Sequence, residues 1–163
     1  MRNILIKSIS LIVFMTLFLF NGCSRANEQS AGELGRAVDF TLEGIDGEKI
    51  ILSNILKTKD AVLIFWTTWC PYCKQEVPDI ERFYMENRDR VAVVGINVRE
   101  NRAKVERYIR KNRISYPVVL DSNGNIARLY NLKGVPAIVA ISKEDKIMYY
   151  GCSIKEMVNK VNF

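Results

Sequence analysis

A chain of 163 residues with 48% hydrophobic side chains can bury one sizeable core, whereas two independent domains would each be small. The first 22 residues hold Arg2, Lys7 and no acid, so the net charge of +6 falls to 22 basic against 18 acidic residues, or +4, beyond them; no Lys/Arg run interleaved with aromatics marks a nucleic-acid stripe, and the basic surface reads as solvated. There is no histidine, which removes the base of Cys–His and Ser–His–Asp nucleophile systems and a ligand of His-containing zinc and haem sites.

Residues 1–7 are basic, residues 9–20 almost wholly apolar, and Asn21, Gly22 and Cys23 follow. That is the order of a secretory signal peptide, and the apolar stretch is shorter than the roughly 20 residues of a typical span; an uncleaved anchor over residues 4–20 is the alternative. Gly22-Cys23 resembles a bacterial lipobox, with Phe20 where leucine is usual, which implies lipidation at Cys23 of the mature chain. A chance thiol beside an ordinary cleavage site is the bland reading. Either way the following domain is expected outside the cytoplasm. The organisation read from the chain is a lipoprotein-type signal peptide (1–22), a flexible tether (23–36) rich in small and polar residues, and one domain (37–163).

Residues 37–42 and 48–52 are strand-like, with hairpin chemistry in Gly44-Ile45-Asp46-Gly47 between them, and Ser53 is placed to cap a short helix through Leu56. Residues 61–65 form a β-branched and aromatic run that predicts a buried strand. From Pro71 the period becomes helical, with Val77, Ile80, Phe83 and Tyr84 on one face and Pro78 inside. Residues 91–98 read as a buried strand, and 101–111 as a helix with Val105, Tyr108 and Ile109 inward, so strand, helix and strand make a parallel crossover. A strand near 116–120, a turn at 121–125, one or two helical turns at 126–130, a strand opened by Pro136, a hairpin at 143–146, a strand at 147–150 and a closing helix at 154–161 complete the domain.

The chemistry is concentrated at Trp69-Cys70-Pro71-Tyr72-Cys73-Lys74, where the strand feeds the helix. The unpaired amides and positive dipole end of a helix N-terminus favour negative charge on sulfur, so Cys70 is the expected nucleophile. Cys73, nearly one turn on, is placed to resolve a mixed disulfide formed at Cys70. A structural zinc site would need two further ligands, and only Cys23 and Cys152 remain. Trp69 is expected to flank the cleft as a docking surface, with Pro71 and Tyr72 in the same substrate-facing group, while Trp66 is expected in the core. Cys152 is expected as a buried small hydrophobe.

This strand followed by Trp-Cys-X-X-Cys-Lys resembles the thioredoxin superfamily, and residues 65–78 resemble its extracytoplasmic TlpA/ResA-like branch. The resemblance implies an α/β thioredoxin-like fold, a central mixed β-sheet flanked by helices with an N-terminal β-hairpin extension. It also implies that Pro136 is a cis-proline opposite the cysteines, so that Val135 can offer its amide and carbonyl to an extended substrate. Glu76 stands where that branch carries a glutamate, and is expected either to handle the proton of Cys73 or contact the substrate, or else to be an ordinary solvated carboxylate. Thioredoxin's buried aspartate six residues before the first cysteine is replaced here by Ile64.

The function implied is thiol–disulfide exchange with protein substrates, as a reductant recharged by a membrane electron carrier, with apocytochrome c a typical client and no metal or other cofactor. The rivals are a disulfide-forming oxidant or isomerase, and a copper chaperone on the same scaffold. Thr67 and Cys70 match the Thr-X-X-Cys of peroxiredoxins, but Leu63 stands where that pattern wants proline, which disfavours a peroxidase.

Overall fold

The computed structural model describes residues 35–163; the signal peptide, the lipidation at Cys23 and nearly all of the tether expected from the sequence lie outside the described residues. In chain order the elements are β1 (Thr41–Glu43), β2 (Lys49–Ile51), α1 (Leu52–Leu56), β3 (Asp60–Trp66), α2 (Pro71–Asn87), β4 (Val91–Val98), α3 (Arg102–Asn112), β5 (Val118–Asp121), α4 (Asn125–Leu129), β6 (Ala137–Ile141), β7 (Ile147–Gly151) and α5 (Ile154–Lys160).

β3 is apolar throughout from Ala61 because it is covered on both faces. Val62, Ile64 and Trp66 meet Val77, Ile80 and Phe83 of α2, Val105 of α3, and Ile154 and Met157 of α5. Ala61, Leu63 and Phe65 alternate to the other face, against Phe40, Leu52 and Leu56 of the α1 side and Tyr130. The five-stranded sheet runs β5-β4-β3-β6-β7, parallel across β5, β4 and β3 and antiparallel from β3 through β6 to β7, which is the mixed sheet the resemblance implies.

Register places the site. Trp66 at the end of β3 is level with Asn97 of β4, and Phe65 is level with Ala137 at the start of β6. The loop that leaves β3 therefore emerges between the end of β4 and Pro136. Gly95 in mid-β4 lets the Trp66 and Tyr116 rings approach, since a Cβ there would lie 2.8 Å from the Tyr116 ring and 3.1 Å from the Trp66 indole nitrogen.

Two local expectations are corrected. The first hairpin is shorter than the sequence suggests: residues 37–40 lie outside the β1–β2 sheet. The hairpin turn hangs instead on β5, through the Ile45 N–H to Val118 O bond, and on the start of α3, where the Arg102 guanidinium donates to the carbonyls of Gly44 and Ile45 at 2.9 and 2.6 Å. Ser53 does not cap α1, which begins one residue earlier behind Ile51 without a side-chain cap. Asp39 takes over, its Oδ1 accepting the N–H groups of Phe40 and Ser53 at 2.9 and 2.8 Å. α2 continues through Pro78 as expected.

Candidate active site at the start of helix α2

Cys70 is the N-cap of a 17-residue helix, with extended backbone angles (φ −80°, ψ 114°), and Pro71 follows at the first helical position, where its missing N–H costs nothing. The Cys70 sulfur accepts the N–H of Cys73 at 3.1 Å, one of the orphan donors of that helix end. The thiol of Cys70 in turn donates to the carbonyl of Val135 at 3.4 Å. The Val135–Pro136 peptide bond is cis. Strand register thus brings Val135 against Cys70, and the carbonyl expected to meet an extended substrate here accepts from the Cys70 thiol.

Both cysteines are free thiols and each residue is only 4% exposed. Burial, and after it the neighbouring Cys70, push the Cys73 thiol well above its ordinary value; the backbone of Thr67 offsets this only in part. Cys73 is therefore held in its protonated form. Around the buried pair, Trp69 is 68% and Tyr72 52% exposed, an apolar rim of the kind that docks a polypeptide. Trp66 lies in the core as expected, its ring centroid 5.1 Å from that of Tyr108.

Glu76 is half-buried, and its Oε2 accepts the N–H of Ile154 at 2.8 Å. Ser153 makes no side-chain cap for α5, so Glu76 supplies that helix end with its acceptor from a neighbouring helix. It is accordingly not the freely solvated carboxylate of the bland reading. Cys152 stands just beyond β7 and is half-buried, not fully buried as the sequence suggested.

Sequence reasoning missed a polar cluster beside the loop from β3 to Cys70. The Glu100 carboxylate, its side chain 4% exposed, accepts from Thr68 N (2.6 Å), Thr68 Oγ1 (2.7 Å) and Asn97 Nδ2 (2.9 Å), and pairs with Lys104 at 2.6 Å. Burial pushes this carboxyl up, but Lys104, Asn97 and Thr68 together outweigh it and hold the group below the ordinary carboxylate value. The signal was Asn97 itself, a polar residue near the end of an otherwise apolar strand, fully buried in the fold. Among the described residues no group of three or more His, Cys, Asp or Glu side chains is placed to hold a metal ion.

The arrangement suits thiol–disulfide exchange: a sulfur at a helix N-terminus, a second thiol one turn on, and an exposed aromatic rim. Comparison with known proteins agrees. The AhpC/TSA family matches residues 35–150. The thiol-disulfide oxidoreductase ResA of Halalkalibacterium halodurans is 30% identical over 150 residues, spanning 90% of this chain and 81% of that protein. The crystal structure of StoA from Bacillus subtilis superposes with a TM-score of 0.65 at 31% identity, covering 74% of this chain and 93% of that one. A secreted disulfide oxidoreductase of Mycobacterium tuberculosis superposes with a TM-score of 0.66 at 25% identity, over 74% of this chain and 92% of that one.

Proposed function

Because the chain belongs to the AhpC/TSA family and is a thiol–disulfide oxidoreductase of thioredoxin-like fold, we propose that it acts outside the cytoplasm as a reductant of protein disulfides. The observation that carries this reading is the pairing of Cys70 at the α2 N-terminus with a buried Cys73 one turn on, whose N–H the Cys70 sulfur accepts. The Cys70 thiolate attacks one sulfur of a client disulfide; that S–S bond breaks, and the departing client sulfur takes up a proton. Cys73 then gives up its proton and attacks the Cys70 sulfur, releasing the second client thiol and leaving a Cys70–Cys73 disulfide. Two electrons pass from the pair to the client, and a membrane electron carrier restores the dithiol. Trp69, Pro71 and Tyr72 form the docking rim, the backbone at Val135 and Pro136 lines the cleft, and Glu76 assists the proton of Cys73 from one turn along the helix.

The direction is supported by Cys73, since a thiol that resists ionisation is a poor leaving group and makes a stable disulfide, the property of a reducing pair. Placement outside the cytoplasm rests on the order of residues 1–23 and on the secreted relative; on this reading Cys23 carries the lipid that tethers the domain. An apocytochrome c is the client the TlpA/ResA-like resemblance suggests.

Two measurements test the proposal. In a Cys73→Ser variant, client proteins accumulate as mixed disulfides through Cys70; their absence across clients counts against the scheme. Equilibration with glutathione or dithiothreitol buffers gives the potential of the pair. A value of about −270 mV or lower supports a reductant, and one near about −120 mV overturns that direction in favour of a disulfide donor.

A further inference from the structure

The four-residue path from β3 to α2 has little of its own to hold it. The backbone bond within it, Cys70 N–H to Thr67 O, is long at 3.4 Å, the Cys70 carbonyl is taken up by α2 through Lys74 N at 3.2 Å, and Trp69 projects into solvent. What holds it is Glu100. Each oxygen of this carboxylate takes two donors: Oε2 the N–H of Thr68 and the amide of Asn97, Oε1 the hydroxyl of Thr68 and the ammonium of Lys104. The amide of Asn97 also reaches the carbonyl of Trp66 at 3.5 Å, so the cluster grips the loop at its origin as well as at Thr68.

The chain accepts a cost to deliver this carboxylate. Arg99 adopts φ 57°, the left-handed region that residues with a side chain avoid, immediately before Glu100. Asn101 then caps α3 through Lys104 N, which sets Lys104 one turn from Glu100 and beside it. With both oxygens committed to donors, Glu100 is poorly suited to collect the proton of Cys73, and its part is geometric.

We propose that Glu100 is the positioning residue of the nucleophile: by gripping Thr68 through backbone and hydroxyl, it fixes the loop that sets the Cys70 sulfur between the α2 N-terminus and the Val135 carbonyl. The inference rests on the thiol-exchange reading and deepens it. Sub-ångström placement of a reacting sulfur is worth large factors in rate, so loosening this anchor slows exchange even where the fold survives.

The test compares Thr68→Val, which loses only the hydroxyl, Thr68→Ser, which keeps both donors, and Glu100→Gln, which keeps size and loses charge. The readouts are the rate constant of the reduced protein with oxidised glutathione and the potential of the Cys70/Cys73 pair, each per folded molecule, with thermal unfolding measured alongside. Expected are a rate loss of about tenfold in Thr68→Val and at least that in Glu100→Gln, a shift of the potential in both, and recovery to within about threefold in Thr68→Ser. If Glu100→Gln does not fold, the Val and Ser pair carries the comparison alone. Folded variants with the parental rate and potential overturn the inference, as does a rate loss that merely follows the unfolded fraction. A parent inert toward both oxidised glutathione and protein disulfides overturns the thiol-exchange reading itself, whereas an active parent with unaffected variants overturns only the role of Glu100.

Discussion

Cys70 and Val135 stand 65 residues apart in the chain, yet the thiol of one donates to the carbonyl of the other at 3.4 Å. The contact follows from register. Phe65 pairs with Ala137 across the antiparallel β3–β6 ladder, so the residues just beyond one strand meet those just before the other. The cleft is thus built where an outgoing loop and an incoming one cross, at the end of the sheet that the α2 N-terminus also faces.

Cys73 sets the alkaline stability of the reduced protein. An unfolded cysteine ionises near about pH 8.5, and burial raises Cys73 above that in the fold, so the native state binds more protons beyond this point. The stabilisation is therefore complete below about pH 8.5 and is lost as pH rises, by up to about 1.4 kcal/mol per pH unit. Urea unfolding of the reduced protein between about pH 7 and about pH 10 checks it. The parent's midpoint falls beyond about pH 8.5, and Cys73→Ser, which has nothing to ionise there, falls less. Parallel curves would refute the assignment.

Glu76 has a structural task separable from any part in proton transfer. Removing its carboxylate leaves the Ile154 N–H without its acceptor, and Glu76→Ala should cost about 1 kcal/mol, a typical capping loss, in denaturant unfolding. Glu76→Gln keeps an acceptor oxygen and should cost less. A role in moving the Cys73 proton appears only as a changed pH–rate profile in Glu76→Gln, so the two tasks read out on different instruments.

Gly95→Ala tests the packing behind the site. The new Cβ would stand 2.8 Å from the Tyr116 ring and 3.1 Å from the Trp66 indole, neither of which is the end of a flexible chain. A loss of about 1–3 kcal/mol is expected by chemical denaturation, the cost of overpacking, with a shift in tryptophan fluorescence as Trp66 moves. A change below about 0.5 kcal/mol would show that the rings have room to yield.

Trp69→Ala tests the docking rim. Because Trp69 is 68% exposed, its loss should leave unfolding within about 0.5 kcal/mol of the parent. The expected effect is on a protein disulfide, where KM rises by about tenfold or more, with a smaller loss against a small disulfide that needs no rim. Equal losses against both would place Trp69 in the chemistry instead.

Much of this was legible in the residues themselves. Strand β3, the helix from Pro71 and the cysteine spacing are local matters: apolar runs, period and a proline at the first helical position state them within about twenty residues of chain. Ser53 shows the limit. Its residue type suits a cap, but Asp39, 14 residues earlier, reaches the Ser53 N–H, and α1 starts one residue sooner. Local propensity named a plausible capping acceptor, and a tertiary contact supplied a different one.

The sequence by itself determined which elements carry the two cysteines and where the pair stands on them, because backbone sterics, period and helix-end chemistry act between near neighbours. Only the tertiary structure decided what those residues meet: Val135 against Cys70, Ile154 against Glu76, Glu100 against Thr68. The physical reason is that each of these bonds joins segments 32 to 78 residues apart. Such distances are closed by strand register and helix packing over the whole sheet, and no spacing in the chain encodes them. The burial that lifts Cys73 and the four donors that hold Glu100 ionised are consequences of that closure.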